Sequence, residues 1–152
     1  MKEQLRIGVI GTGRMGVSHI RRIQSQLSGG WVTAVAASSP ARAAGVAKQF
    51  AIPQVMEADA LIASPEVDAV VIASPGESHE AYLMACIAQG KPVFCEKPLA
   101  ATAAGCLRVL QAECAAGCRL VQLGFMRRFD RCHNELRGLL ACGSLGRTLM
   151  VH

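Results

Sequence analysis

Apolar residues along this chain fall into two alternating rhythms. Short, mainly apolar runs such as Leu5–Ile10, Trp31–Ala37 and Val67–Ala73 read as buried strands, because a strand covered on both faces has little polar side to show. Between them lie longer stretches with apolar residues at helical spacing. Met15, Ile20, Ile23 and Leu27 mark a helix over Gly13–Gln26, which Ser28-Gly29-Gly30 would close. Pro40 opens a second helix that runs to about Phe50, since proline suits the first helical turn. Ile52–Val55 reads as a short strand. A helix over Glu77–Gln89 ends at Gly90, the strand Pro92–Cys95 follows, and a helix over Thr102–Ala116 ends at Gly117. Leu120–Leu123 reads as a sixth strand.

Strands alternating with helices of this length imply right-handed crossovers and a parallel sheet. The expected fold is therefore α/β, a doubly wound parallel sheet with its ligand crevice at the carboxyl ends of the strands. After Gly124 the pattern changes. Phe125–Phe129 is an amphipathic connector, Asp130–Leu140 looks helical, and Gly143 and Gly146 frame a turn. Thr148–His152 resembles the opening of another strand. The expected division is a domain over residues 1–123, with a connector and only the beginning of a second α/β domain over 124–152.

Composition narrows the class. Of 152 residues, 51% are hydrophobic but only 4% aromatic, so Ala, Val, Ile and Leu must build the core. The net charge is +5, yet the basic residues are scattered apart from Arg21–Arg22 and Arg127–Arg128. That argues against nucleic acid as a partner and suits a small anionic ligand. No apolar stretch reaches the ~20 residues needed to cross a bilayer, so no membrane role is expected. The seven cysteines include no C-x-x-C pair. They point to a reducing, cytoplasmic compartment and away from a zinc site.

Gly11-Thr12-Gly13-Arg14-Met15-Gly16 carries the first chemistry. A lone G-x-G-x-x-G is weak evidence, but here it follows a strand and opens a helix. In that context Gly11 allows the tight turn, Gly13 lets backbone approach a pyrophosphate, and Gly16 lets helix and strand pack closely. The anion would sit on free N–H groups at the helix N-terminus, with Thr12, Arg14 and Met15 beside it. This makes the fold Rossmann-type and the ligand a dinucleotide. About 20 residues on, an acidic side chain usually bonds the ribose 2′-OH of NAD. This chain carries Ala37-Ser38-Ser39-Pro40-Ala41-Arg42 there instead. Ser38 and Ser39 can donate to a 2′-phosphate, and Arg14 or Arg42 could pair with it. NAD and NADP both stay open, with NADP fitting at least as well.

Two further motifs sit where strands should end. In Ala73-Ser74-Pro75-Gly76-Glu77-Ser78-His79, Ser78 could cap a helix. Ser74 would line the crevice. His79, in the helix's first turn and neutral near pH 7, could contact ribose or nicotinamide. In Phe94-Cys95-Glu96-Lys97-Pro98-Leu99, Lys97 could hydrogen-bond a substrate hydroxyl that loses its proton, or stabilise the developing alkoxide. Glu96 and Pro98 would fix its direction.

With these residues in view, the chain resembles the N-terminal domain of the Gfo/Idh/MocA oxidoreductases. Ile7–Gly13, Val93–Ala100, Leu120–Asp130 and Gly146–His152 carry the likeness. The resemblance implies a catalytic lysine at Lys97, an arginine near the nicotinamide at Arg128, and a histidine bordering the cofactor site at His79. It also implies a second α/β domain that supplies an Asp, a catalytic His and the oligomer interface, so the full-length form would be a homo-oligomer. The implied reaction moves hydride from a polyol or sugar such as myo-inositol to nicotinamide. Where that family's NAD-preferring members carry an acid, this chain has Ala37. The second domain's general base has no counterpart in these residues. A binding module without turnover of its own is therefore the competing expectation. A methyltransferase using the same glycine turn is disfavoured by the Lys97 motif.

Overall fold

The computed structural model describes residues 4–144 together with Gly146 and Arg147. Six strands form one sheet: β1 (Leu5–Ile10), β2 (Gly30–Ala36), β3 (Gln54–Val55), β4 (Ala69–Ile72), β5 (Val93–Cys95) and β6 (Val121–Leu123). Their order is β3-β2-β1-β4-β5-β6 and every pairing is parallel. The strand order reverses between β1 and β4, which opens a crevice at their carboxyl ends. The helices are α1 (Arg14–Gln26), α2 (Pro40–Gln49), α3 (Ala58–Ala63), α4 (His79–Ala88), α5 (Ala103–Ala115) and α6 (Arg131–Ala141).

The continuous apolar runs have their cause in two cores, one on each face of the sheet. Val9, Val35 and Val71 point to one face, where they meet Ile20 and Ile23 of α1 and Val46 of α2. Their strand neighbours Ile10, Ala36 and Ile72 point to the other, against Leu61, Leu83 and Val109 of α3, α4 and α5. The β1–β2 register shifts between Ile7 and Gly8, where Ile7 pairs with Val32 and Gly8 with Ala34. Thr33 is the extra residue, so Val32 joins Val35 on the α1 side.

Three elements differ from the sequence reading. Helix α3 was not expected. It has six residues and no side-chain cap, too little for a periodic signal, and full burial of Leu61 and Ile62 holds it down. Each such side chain contributes about 1.5–3 kcal/mol. The segment expected as one helix from Glu77 begins instead as a 3-10 turn, Gly76–Ser78, with α4 starting at His79. Helix α1 ends at Gln26 as expected but is not closed by Ser28-Gly29-Gly30, because Leu27 is already the extended C-cap and Gly30 belongs to β2. The strand anticipated over Thr148–His152 lies outside the described residues.

Helix α6 is anchored by Asp130, whose carboxylate accepts from the His133 amide at 3.1 Å. None of its residues is buried, and Leu136, Leu139 and Leu140 are exposed. Among the described residues no helix is long and apolar enough to cross a membrane.

Candidate functional site

A cavity of about 660 Å³ opens at the carboxyl ends of β1, β2 and β4, inside the roughly 300–1,000 Å³ range of small-ligand clefts. Its floor is the turn from β1 into α1. Gly11 holds φ +101°, and a Cβ there would come within 2.5 Å of the Ala73 backbone. Gly16 is buried behind the turn, where a Cβ would overlap the Gly11 carbonyl oxygen, so only glycine lets α1 pack this close. Gly13 differs: a Cβ there meets nothing within 4 Å. Its missing side chain leaves open space on the cavity side rather than relieving a protein contact.

The electrostatics of this floor favour an anion. Gly13 is the N-cap of α1, with no side-chain cap and no acidic residue in the first turn. The amides of Gly13, Arg14, Met15 and Gly16 have no carbonyl one turn back within the helix, and the positive dipole end lies here. Thr12 is 5% exposed, and its hydroxyl is the one buried side-chain polar atom without a partner among the described residues. An unsatisfied buried hydroxyl costs about 1–3 kcal/mol, which a ligand oxygen would offset. Bare amides, open space at Gly13 and an orphaned hydroxyl together fit a diphosphate.

The sequence candidates divide into two groups. Gly11, Thr12, Gly13, Arg14, Met15, Ser38, Ser39, Arg42 and Ser74 line the cavity. Gly16, His79, Glu96, Lys97 and Arg128 do not. His79 is 1% exposed and both ring nitrogens are taken, Nδ1 by the Pro98 carbonyl at 2.6 Å and Nε2 by the Ser74 carbonyl at 2.9 Å. No nitrogen is left for ribose or nicotinamide. That corrects the expectation of a ligand-facing histidine. Ser78 does not cap α4 either, because its hydroxyl donates to the Pro75 carbonyl and pairs with Ser74 Oγ, each at 2.7 Å.

Glu96 does not direct Lys97 by pairing with it. Its Oε1 meets His19 Nε2 at 2.9 Å, both groups mostly buried, and His19 stacks edge-on to Phe94 at 5.3 Å. Lys97 is exposed, with no ion pair among the described residues. Arg128 is exposed in the 3-10 turn Met126–Arg128, beyond the cavity wall. Sequence reasoning missed Glu57, Ala58 and Tyr82, which also line the cavity, because the first two depend on the unforeseen helix α3. It also missed His19, for which no signal existed without the Glu96 contact.

Buried Cys86 and Cys95 are not nucleophiles: burial pushes both thiols up to about 12. Among the described residues no cluster of three His, Cys, Asp or Glu could hold a metal ion.

A family profile described as an oxidoreductase family with an NAD-binding Rossmann fold matches residues 5–125. The chain is 50% identical over 149 residues to an inositol 2-dehydrogenase of Acidothermus cellulolyticus, covering 97% of this chain and 44% of that protein. An inositol 2-dehydrogenase of Pseudomonas savastanoi pv. phaseolicola is 49% identical over 150 residues, covering 97% and 45%. Among solved structures, myo-inositol dehydrogenase from Lactobacillus casei, in complex with NAD(H) and myo-inositol, superposes with a TM-score of 0.91. That match has 35% identity and covers 96% of this chain and 44% of the other. The chain thus spans less than half the length of the curated relatives it matches.

Proposed function

This chain belongs to the Gfo/Idh/MocA oxidoreductase family, and on that premise we propose that it serves hydride transfer between a polyol or sugar hydroxyl and a nicotinamide dinucleotide. The observation that carries the reading is the floor of the large cavity: bare first-turn amides of α1, open space over Gly13 and the unpartnered Thr12 hydroxyl. The cofactor, NAD or NADP, supplies the hydride acceptor when bound. The Gly11–Gly16 turn holds its diphosphate, Ser74 borders the crevice, and Ser38, Ser39 and Arg42 flank the adenosine end.

Lys97 is the group we assign to the substrate hydroxyl. Its ammonium donates to the oxygen that loses a proton and steadies the charge that develops there. Its exposure, with no ion pair among the described residues, leaves it available for that contact. Arg128 would lie toward the nicotinamide end. A cyclic polyol of the inositol kind is the substrate class suggested by the relatives. Residues 1–123 form the dinucleotide-binding domain. Residues 124–152 are a connector and the start of a substrate- and oligomer-forming domain, a reading supported by the exposed leucines of α6. All seven cysteines are free thiols, which fits a reducing, cytoplasmic compartment.

A second reading is a dinucleotide-binding module without turnover of its own. It is favoured by one observation: His79, which bonds the Pro98 carbonyl beside Lys97, has both ring nitrogens committed to backbone carbonyls. It is not free to take the hydroxyl proton.

Steady-state reduction of NAD+ and NADP+ with myo-inositol, run beside equilibrium binding of the reduced dinucleotides, separates the two. Turnover that falls at least about 100-fold in Lys97→Ala supports the enzyme. Binding without turnover supports the module, and absence of binding refutes both.

A further inference from the structure

We propose that the dinucleotide this chain takes is 2′-phosphorylated, NADP(H), and that Arg42, Arg14 and Arg21 form the seat of the extra phosphate. The inference rests on the dinucleotide reading above and adds to it the chemical form of the cofactor.

A second, more open cavity of about 540 Å³ adjoins the first. The two share Thr12, Gly13, Arg14 and Arg42; the second adds Val17, Ser18 and Arg21. It therefore runs from the diphosphate turn along the outer side of α1 toward the start of α2. Arg14 and Arg21 stand two turns apart on α1, and Arg42 reaches in from α2.

Charge makes this second cavity selective. The arginines Arg6, Arg108, Arg127 and Arg131 each hold a carboxylate within 4.0 Å. Arg14, Arg21 and Arg42 have no such partner among the described residues. Glu57 and Glu77 line the larger cavity, yet no carboxylate lines the second. Three guanidinium groups gathered without a counter-charge repel one another, and a dianionic phosphate relieves that repulsion through charge-assisted, often bidentate bonds.

The position matches the chemistry. In a sheet of this topology the adenosine ribose lies at the end of the second strand. Here β2 ends at Ala36, followed by Ala37, Ser38 and Ser39. Ala37 lines the larger cavity and brings no carboxylate to accept from a free 2′-OH or to repel a phosphate. Ser39 Oγ accepts from the Arg42 amide at 3.4 Å, which leaves its O–H available to donate. Arg42 lines both cavities, so it stands where the ribose site passes into the arginine-lined space.

The test is a fluorescence titration of the purified chain with NADPH and with NADH, at low and at moderate salt. NADPH should bind at least about tenfold more tightly, and the ratio should shrink as salt screens the exposed arginines. Arg42→Ala should cut the NADPH:NADH affinity ratio by about tenfold. Ala37→Asp should reverse the preference, because a carboxylate there repels the phosphate and accepts from the ribose hydroxyl. Equal affinities in the starting protein, or an unchanged ratio in Arg42→Ala, would overturn the proposal while leaving the dinucleotide reading intact. Failure of both dinucleotides to bind would overturn that reading and this proposal with it.

Discussion

Gly13→Val separates a glycine kept for a ligand from one kept for the fold. Gly13 sits at φ −76° and ψ −170°, an extended conformation open to any residue, and a Cβ there meets no protein atom within 4 Å. The folded state should tolerate the valine at a cost of at most about 1 kcal/mol, from the weaker N-cap preference. Binding should not tolerate it. A branched side chain over the bare amides holds a diphosphate out of hydrogen-bonding range. Losing two charge-assisted bonds at about 1.5–3 kcal/mol each removes about 3–6 kcal/mol, a drop of roughly 10²–10⁴ in affinity. Thermal melting and dinucleotide titration of the same sample read both quantities. Gly16→Ala is the contrast: its methyl would run into the Gly11 carbonyl, so melting temperature and binding should fall together. A Gly13→Val protein that melts normally and binds NADPH or NADH within threefold of the parent would refute the cradle.

Three other perturbations test the frame around the site. His79→Ala removes two hydrogen bonds at a position 1% exposed and should cost about 2–4 kcal/mol in urea unfolding; a loss under about 0.5 kcal/mol would mean the two carbonyls do not depend on the ring. Leu61→Ala empties a fully buried position beneath the sheet and should cost about 2–5 kcal/mol by the same assay. The backbone hydrogen bond from His133, followed by its side-chain bond, holds the Asp130 carboxyl below its usual value. A carboxylate so depressed stabilises α6 above about pH 4 and loses that effect as the pH falls through its folded value. Helicity measured by circular dichroism should decline on acidification in the parent and be less pH-dependent in Asp130→Ala.

How much of this was legible in the sequence depends on how local each cause was. The turn at Gly11–Gly16 could be read directly, because the residue types, their spacing and the flanking rhythms all lie within one short segment. Six strands and their parallel winding could be read for the same reason: Val9 and Ile10, or Val71 and Ile72, are adjacent in sequence yet serve opposite cores, and only a doubly covered sheet needs both to be apolar. Helix α3 could not be read, since six residues give barely one repeat and its stability comes from Leu61 and Ile62 being covered by other elements. The histidine partners were equally hidden. His19 and Glu96 are 77 positions apart, and nothing in either neighbourhood announces the other.

That hidden pairing changes what Lys97 means. Read from the sequence, Glu96 and Pro98 were to fix the direction of the lysine between them. In the fold the Glu96 side chain turns to His19 on α1, its amide donates to the Ile72 carbonyl of β4 at 2.9 Å, and the Pro98 carbonyl accepts from His79. The residues on both sides of Lys97 are therefore tied to the elements that form the crevice: α1, which carries the glycine turn, and the end of β4, where the Ser74 carbonyl is also held by His79 of α4. Among the described residues the lysine ammonium has no ion pair. A proton-handling group needs a fixed base and a free tip: fixed so that it meets the reacting oxygen within hydrogen-bond reach, free so that no internal carboxylate competes for its donors. By bonding His19, Glu96 serves both conditions for the role proposed for Lys97: the contact anchors the segment to α1, and it leaves the two charged side chains of the tripeptide unpaired with each other.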